Sequence, residues 1–162
     1  MTTRFRRALL GIVLLSLAGC QTVPDRGRWT GKQTAALRAE GFIDTPRGWE
    51  FGMSDRLLFA TDDSSILAAQ ATIITRIARH LVAVDIRHAS VEGHTDTTGS
   101  ARHNDALSVR RAAAVADALD RGGLERRNIV VVGLGERYPV ESNATASGRR
   151  ENRRVVILIT AP

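Results

Sequence analysis

Three residues able to recognise a charged small ligand recur at fixed spacing in mid-chain. They are Asp96 within Gly93-His94-Thr95-Asp96, Asn104, and Arg111 within Leu107-Ser108-x-x-Arg111-Ala112. Asp96 sits between Gly93 and Gly99, the composition of a loop. Arg111 lies fifteen residues further on, in a run with helical periodicity. A carboxylate and a guanidinium so placed suit a ligand that carries an ammonium and a carboxylate close together. The acid accepts from the ammonium, and the guanidinium donates two parallel hydrogen bonds to the carboxylate. Spacing alone leaves two other outcomes open. The two side chains close on each other as an internal ion pair, or Asp96 is a turn residue and Arg111 a surface arginine.

The elements that must hold these residues are legible in the pattern. Trp49, Phe51 and Met53 alternate with Glu50, Gly52 and Ser54, the period of a half-buried strand. Asp63 or Ser64 is expected to cap a helix whose core stripe is Ile66, Ile73, Ile74, Ile77 and Leu81. A strand is expected over 86–92 and a helix over 101–119, stopped by Gly122-Gly123. On that helix Leu107, Val115 and Ala118 share a face, Arg111 lies midway along it, and Asn104 sits one turn earlier. The apolar run 129–132 predicts a strand covered on both faces, and 155–159 a last, equally apolar strand. Strands 86–92 and 129–133 flank a helix, so they should run parallel. The expected fold is α/β: a two-layer α/β sandwich in the order β-α-β-α-β-loop-β, with helices on one face of a mixed sheet.

The N-terminus reads as an export signal. Thr3 to Arg7 is basic, Ala8 to Leu17 is an apolar stretch short for a permanent span, and Leu17-Ala18-Gly19-Cys20 closes it. That closure resembles the lipobox of bacterial lipoproteins, which implies cleavage before Cys20 and a lipidated thiol. The plainer reading is a secretory signal with an incidental cysteine. Cys20 is the only cysteine, so no intrachain disulfide forms. Gln21 in place of aspartate favours the outer membrane, by analogy with such lipoproteins. The domains expected are a signal peptide over 1–19, a lipidated tether over 20–46 with a short helix from Thr30 to Glu40, and a folded domain over 47–162. The tether is expected to contribute no core.

The formal net charge of +6 and pI near 11 raise a nucleic-acid partner, but the arginines are scattered and aromatics make up only 4%. No nucleic acid is expected. His94, Asp96 and His103 lack the spacing of a metal site, so no metal or cofactor is expected. Ser100 and Ser108 lack a nucleophile elbow, and nothing argues for an enzyme.

The spacing G-H-T-D-x-x-G-x₄-N-x-x-L-S-x-x-R-A resembles the peptidoglycan-binding OmpA-like domain. The likeness continues in Gly133-Leu134-Gly135-Glu136 and in Gly148-Arg149-x-x-Asn152-Arg153-Arg154-Val155, and spans roughly Trp49 to Thr160. It implies that Asp96 and Arg111 grip diaminopimelate of the peptidoglycan stem peptide. Asn104 orients the loop or touches the ligand; Thr95 offers backbone donors or shapes the loop. The loop from Phe59 to Asp63 forms one wall of the site in the family, where many relatives carry an acid at the position of Ala60. Asp62 remains a candidate there. Asn152, Arg153 and Arg154 are read as structural. The function so implied is an outer-membrane lipoprotein, facing the periplasm, that binds peptidoglycan non-covalently. The alternative is an interaction subunit of an envelope protein complex, with wall binding secondary.

Overall fold

The structure, a computed structural model, describes residues 29–59 and 64–161. Helix α1 (Gly31–Ala39) starts at Thr30, whose hydroxyl accepts from the Gln33 amide while the Gln33 side chain returns the bond. Strands β1 (Ile43–Thr45) and β2 (Gly48–Ser54) pair antiparallel as a hairpin. A single turn, α2 (Asp55–Leu58), follows directly. Then come α3 (Ala68–Ala83), β3 (Ala89–His94), α4 (Ala101–Arg121), a 3₁₀ turn (Arg126–Asn128), β4 (Ile129–Gly135), α5 (Ala146–Asn152) and β5 (Arg154–Ile159).

The five strands lie in the order β1-β2-β5-β3-β4. Strands β3 and β4 are parallel, as a strand-helix-strand unit requires; β5 is antiparallel to both β2 and β3. The last strand of the chain therefore occupies the middle of the sheet. Its two faces are both covered: Val155, Ile157 and Ile159 on one, Val156 and Leu158 on the other. The sheet is mixed and open, as the sequence predicts.

Helix α4 packs on β3 and β4, and α3 packs on α4. Two glycines let α4 come down onto the sheet. A Cβ at Gly93 would lie 2.1 Å from the Ser108 carbonyl oxygen, and one at Gly133 would lie 2.3 Å from the Val109 side chain. The approach is thus set by the Ser108 backbone at Gly93 and the Val109 side chain at Gly133, and it fixes how far Asn104 and Arg111 stand from the strand ends.

Six expectations need correction. The run 129–132 forms an edge strand, and Val130 is 61% exposed, because β5 rather than β4 takes a central place. Ile73 falls outside the buried stripe at 40% exposure, while Ile74, Ile77 and Leu81 fill the core; α3 starts at Ala68 without a side-chain cap. The strand read at 86–92 lies at 89–94, and the long loop before β5 contains α5. The core also reaches N-terminal of residue 47. Leu37 is fully buried and Phe42 nearly so, and β1 adds a strand. Glu40 pins this segment to α3 through His80 Nδ1 at 2.5 Å and Arg76 Nη1 at 3.3 Å. Cys20 and the segment expected to be an export signal lie outside the described residues.

Candidate functional site

The strand ends β2, β3 and β5, together with the start of α4, surround a cavity of about 570 Å³. Ser100 caps α4 by accepting from the His103 amide, so the helix begins directly after the 94–100 loop. Asp96 and Arg111, though named from opposite ends of a loop and a helix, both line this cavity and are both buried, as is Asn104. Thr95 lines it too, with its backbone N–H donating to Gly135 O at 2.9 Å. Leu107, read as core, is half-buried on the cavity wall. Asp62 and Ala60 lie outside the described residues, although Phe59 beside them does form part of the wall.

Asp96 and Arg111 do not pair with each other. Each has a partner from a distant strand end. Arg111 Nη1 lies 3.0 Å from Asp55 Oδ1, and its guanidinium stacks over the Phe59 ring at 5.2 Å from the centroid. The acid fixes one edge of the plane and the ring fixes its face. Asp96 Oδ2 accepts from Arg153 Nη1 at 2.5 Å, and Oδ1 accepts from the Thr98 amide at 2.8 Å. Arg153 Nε also stands 3.7 Å from Asp55 Oδ2, so Arg153 bridges the two acids. Burial alone would raise the Asp96 pKa. The Thr98 amide and hydroxyl and the Arg153 guanidinium outweigh it and hold the carboxyl below its ordinary value. Asp96 is therefore ionised at neutral pH.

The side chain of Asn104 links the Asp96 loop to the segment after β4. Its Nδ2 donates to the Asp96 carbonyl at 3.1 Å and to Glu136 Oε2 at 2.6 Å. That second bond gives the Gly133-Leu134-Gly135-Glu136 segment a concrete role.

Asp55 and Arg153 are site residues that the sequence reading missed. Asp55 follows strand β2, and Arg153 had been assigned a structural role. Asn152 does tie the preceding loop to the sheet: its Oδ1 accepts from the amides of Val140 and Glu141 at 2.8 and 3.0 Å. Arg153 instead turns to the cavity, while Arg154 lies on the other side of the strand with Glu92, His94 and Tyr138. The two histidines separate likewise. His103 lines the cavity, and His94 is buried beside Glu92.

An open mixed sheet whose strand ends present paired acids and arginines to a cavity at a helix start is the architecture of an OmpA-like α/β domain. The chain belongs to the OmpA family, whose pattern matches residues 58–153. It is 44% identical over 154 residues to an outer-membrane lipoprotein YfiB of Pseudomonas aeruginosa, covering 95% of this chain and 91% of the relative. It is 30% identical over 151 residues to a peptidoglycan-associated lipoprotein of Mesorhizobium japonicum, covering 92% and 88%. The structure of the cell wall anchor of the T6SS from Pseudomonas aeruginosa superposes with a TM-score of 0.64 at 29% identity, covering 85% of this chain and 99% of that one.

Proposed function

We propose that this protein is an outer-membrane lipoprotein whose periplasmic domain binds peptidoglycan non-covalently through the diaminopimelate of the stem peptide, so linking membrane to wall. One observation carries the reading: Asp96 and Arg111 line one cavity, each oriented by an oppositely charged neighbour. An ionised carboxylate has roughly four lone-pair sites, and the Thr98 amide and hydroxyl and the Arg153 guanidinium use three of those of Asp96, which leaves capacity for an ammonium. Arg111 offers the planar fork that matches a carboxylate. The names of the two lipoprotein relatives support the same assignment. Acylation of Cys20 after removal of residues 1–19 would supply membrane affinity at about 0.8 kcal/mol per buried methylene. Tethering then raises the local concentration of wall ligand, so a modest site affinity suffices.

Co-sedimentation with purified sacculi tests the site. Asp96→Ala and Arg111→Ala should each weaken binding by about tenfold or more, corresponding to about 1.4 kcal/mol. Arg111→Lys should fail as well, because an ammonium cannot present two parallel donors. Walls with lysine in place of diaminopimelate should bind poorly, since lysine lacks the second carboxylate. Equal binding to both wall types would sink the diaminopimelate assignment. For the anchor, labelled fatty acid should be absent from the Cys20→Ala protein.

A second reading, an envelope-complex subunit with wall binding secondary, is favoured by Val130, Tyr138 and Val140, which are apolar side chains more than half exposed. A stoichiometric partner that co-purifies after sacculus binding is abolished would support it.

A further inference from the structure

Among the described residues, the cavity lining holds more positive charge than its paired groups need. Four described arginines line it, Arg56, Arg111, Arg149 and Arg153, against two described aspartates, Asp55 and Asp96. The aspartates are taken: Asp55 by Arg111 and Arg153, Asp96 by Arg153. Arg56, from α2, and Arg149, from α5, have no carboxylate partner among the described residues. Arg149 Nη1 donates to the Asn143 carbonyl at 2.8 Å, which orients its guanidinium without neutralising it. A diaminopimelate centre brings one ammonium and one carboxylate and so leaves this excess unchanged. The cavity volume, about 570 Å³, falls within the range of about 300–1,000 Å³ typical of drug-sized ligands, so it has room for more than one amino-acid unit.

We infer that Arg56 and Arg149 are specificity residues for further ligand carboxylates, so that the site selects stem peptides whose carboxyl groups are free over those converted to carboxamides. This inference rests on the peptidoglycan reading and adds a charge requirement to it. In a stem peptide one such group is the α-carboxylate of the γ-linked glutamate that precedes diaminopimelate. A carboxamide keeps the shape and loses the charge. The contrast between the two therefore reads what a charged, two-acceptor group gains from the arginines over a neutral one.

The test is titration calorimetry on the full-length protein with two synthetic tripeptides, alanyl-γ-glutamyl-diaminopimelate with its glutamate α-carboxyl free or amidated. Each solvent-facing arginine–carboxylate contact is worth little, so amidation should weaken binding by about two- to fivefold, and less at high salt. In at least one of Arg56→Gln and Arg149→Gln that ratio should fall to about one, a change that a general loss of structure would not produce. A ratio of one in the wild-type protein would overturn this inference alone. A ratio that persists in both variants would overturn it too. Failure of both peptides to bind would overturn the diaminopimelate reading, and this inference with it.

Discussion

Two buried polar clusters stand at the ends of β3 and β5, and they handle the cost of burial in different ways. In the cavity, Asp96 and Asp55 each face a guanidinium, and Arg153 spans both. On the open side of the sheet, Glu92 pairs with Arg47 at 2.5 Å, yet Glu92 Oε2 and both ring nitrogens of His94 find no hydrogen-bond partner among the described residues. Burial, and then the nearby Arg154 and Arg47, push the His94 pKa down to about 4. The first cluster keeps its charges by matching them. The second keeps its histidine neutral, because a buried group facing two cations loses its proton. Charges matched in this way can be shared with a ligand at neutral pH, whereas a neutral histidine offers none.

The largest expected effect separates the clusters by what each loses when a cation is removed. Arg111→Ala strips Asp55 of a partner at 3.0 Å in a site where Arg111 is 4% exposed. Breaking a buried pair costs about 3 kcal/mol or more, so chemical denaturation should show a loss near that size. The Asp55→Ala/Arg111→Ala double variant should lose less than the sum of the two single changes. On the open side, Arg47→Ala removes a side chain that is 52% exposed and should cost only about 1 kcal/mol or less. Equal losses would show that the pairing around Arg111 has no special energetic weight. Binding by the Arg111→Ala protein must be compared at temperatures well below its melting transition.

The parts of the site that the sequence reveals are the local ones. Asp96, Asn104 and Arg111 fall within one loop and one helix, so their mutual placement follows from helical spacing. Asp55 and Arg153 stand almost a hundred residues apart and meet only because β2 and β5 pair antiparallel, with Ser54 opposite Arg154. Hydrophobic periodicity carries no record of that register. The same limit explains β4 and β5: both are continuous apolar runs, and only the strand order makes one an edge and the other the centre. Helix α5 offered no apolar stripe to read. It is polar, and it is held by the Thr145 hydroxyl accepting from the Gly148 amide and by the contacts of Asn152. Leu37 is the lone buried residue of α1, too little to signal that the segment joins the core.

A smaller effect, confined to the open-side cluster, is pH dependence. His94 titrates near 4 when folded against an ordinary value near 6.5, so between these values the unfolded chain binds more protons. Stability therefore rises with pH across that window and is lost on acidification. Between pH 7 and pH 5 the cost should be about 2 kcal/mol, visible as a fall in Tm of several degrees. The His94→Asn protein should be flatter over the same interval. Asp96 acts in a separate and lower window. Its depressed pKa gives stability that is present above the ordinary carboxylate value and fades as pH drops through the folded one. A His94→Asn protein that kept the wild-type slope would place the titrating group elsewhere and remove the contrast drawn between the clusters.

The smallest expected effect sharpens the view that the cavity is held by matched partners, and it concerns Glu136. This acid does not line the cavity; it acts through Asn104, whose amide it receives at 2.6 Å while that amide also donates to the Asp96 carbonyl. Without Glu136 the Asn104 side chain loses a charge-assisted bond and the Asp96 loop loses part of its fixed position. Glu136→Ala should weaken sacculus binding by about fivefold, corresponding to about 1 kcal/mol. Glu136→Gln, which keeps an acceptor oxygen but no charge, should fall between that protein and the wild type. Because Glu136 is a positioning residue, its effect must pass through Asn104. The Asn104→Ala/Glu136→Ala protein should therefore bind no worse than Asn104→Ala alone. Fully additive losses would mean that Glu136 meets the wall directly or acts through another route, and the chain from the Gly133–Glu136 segment to the Asp96 loop would be broken at its first link.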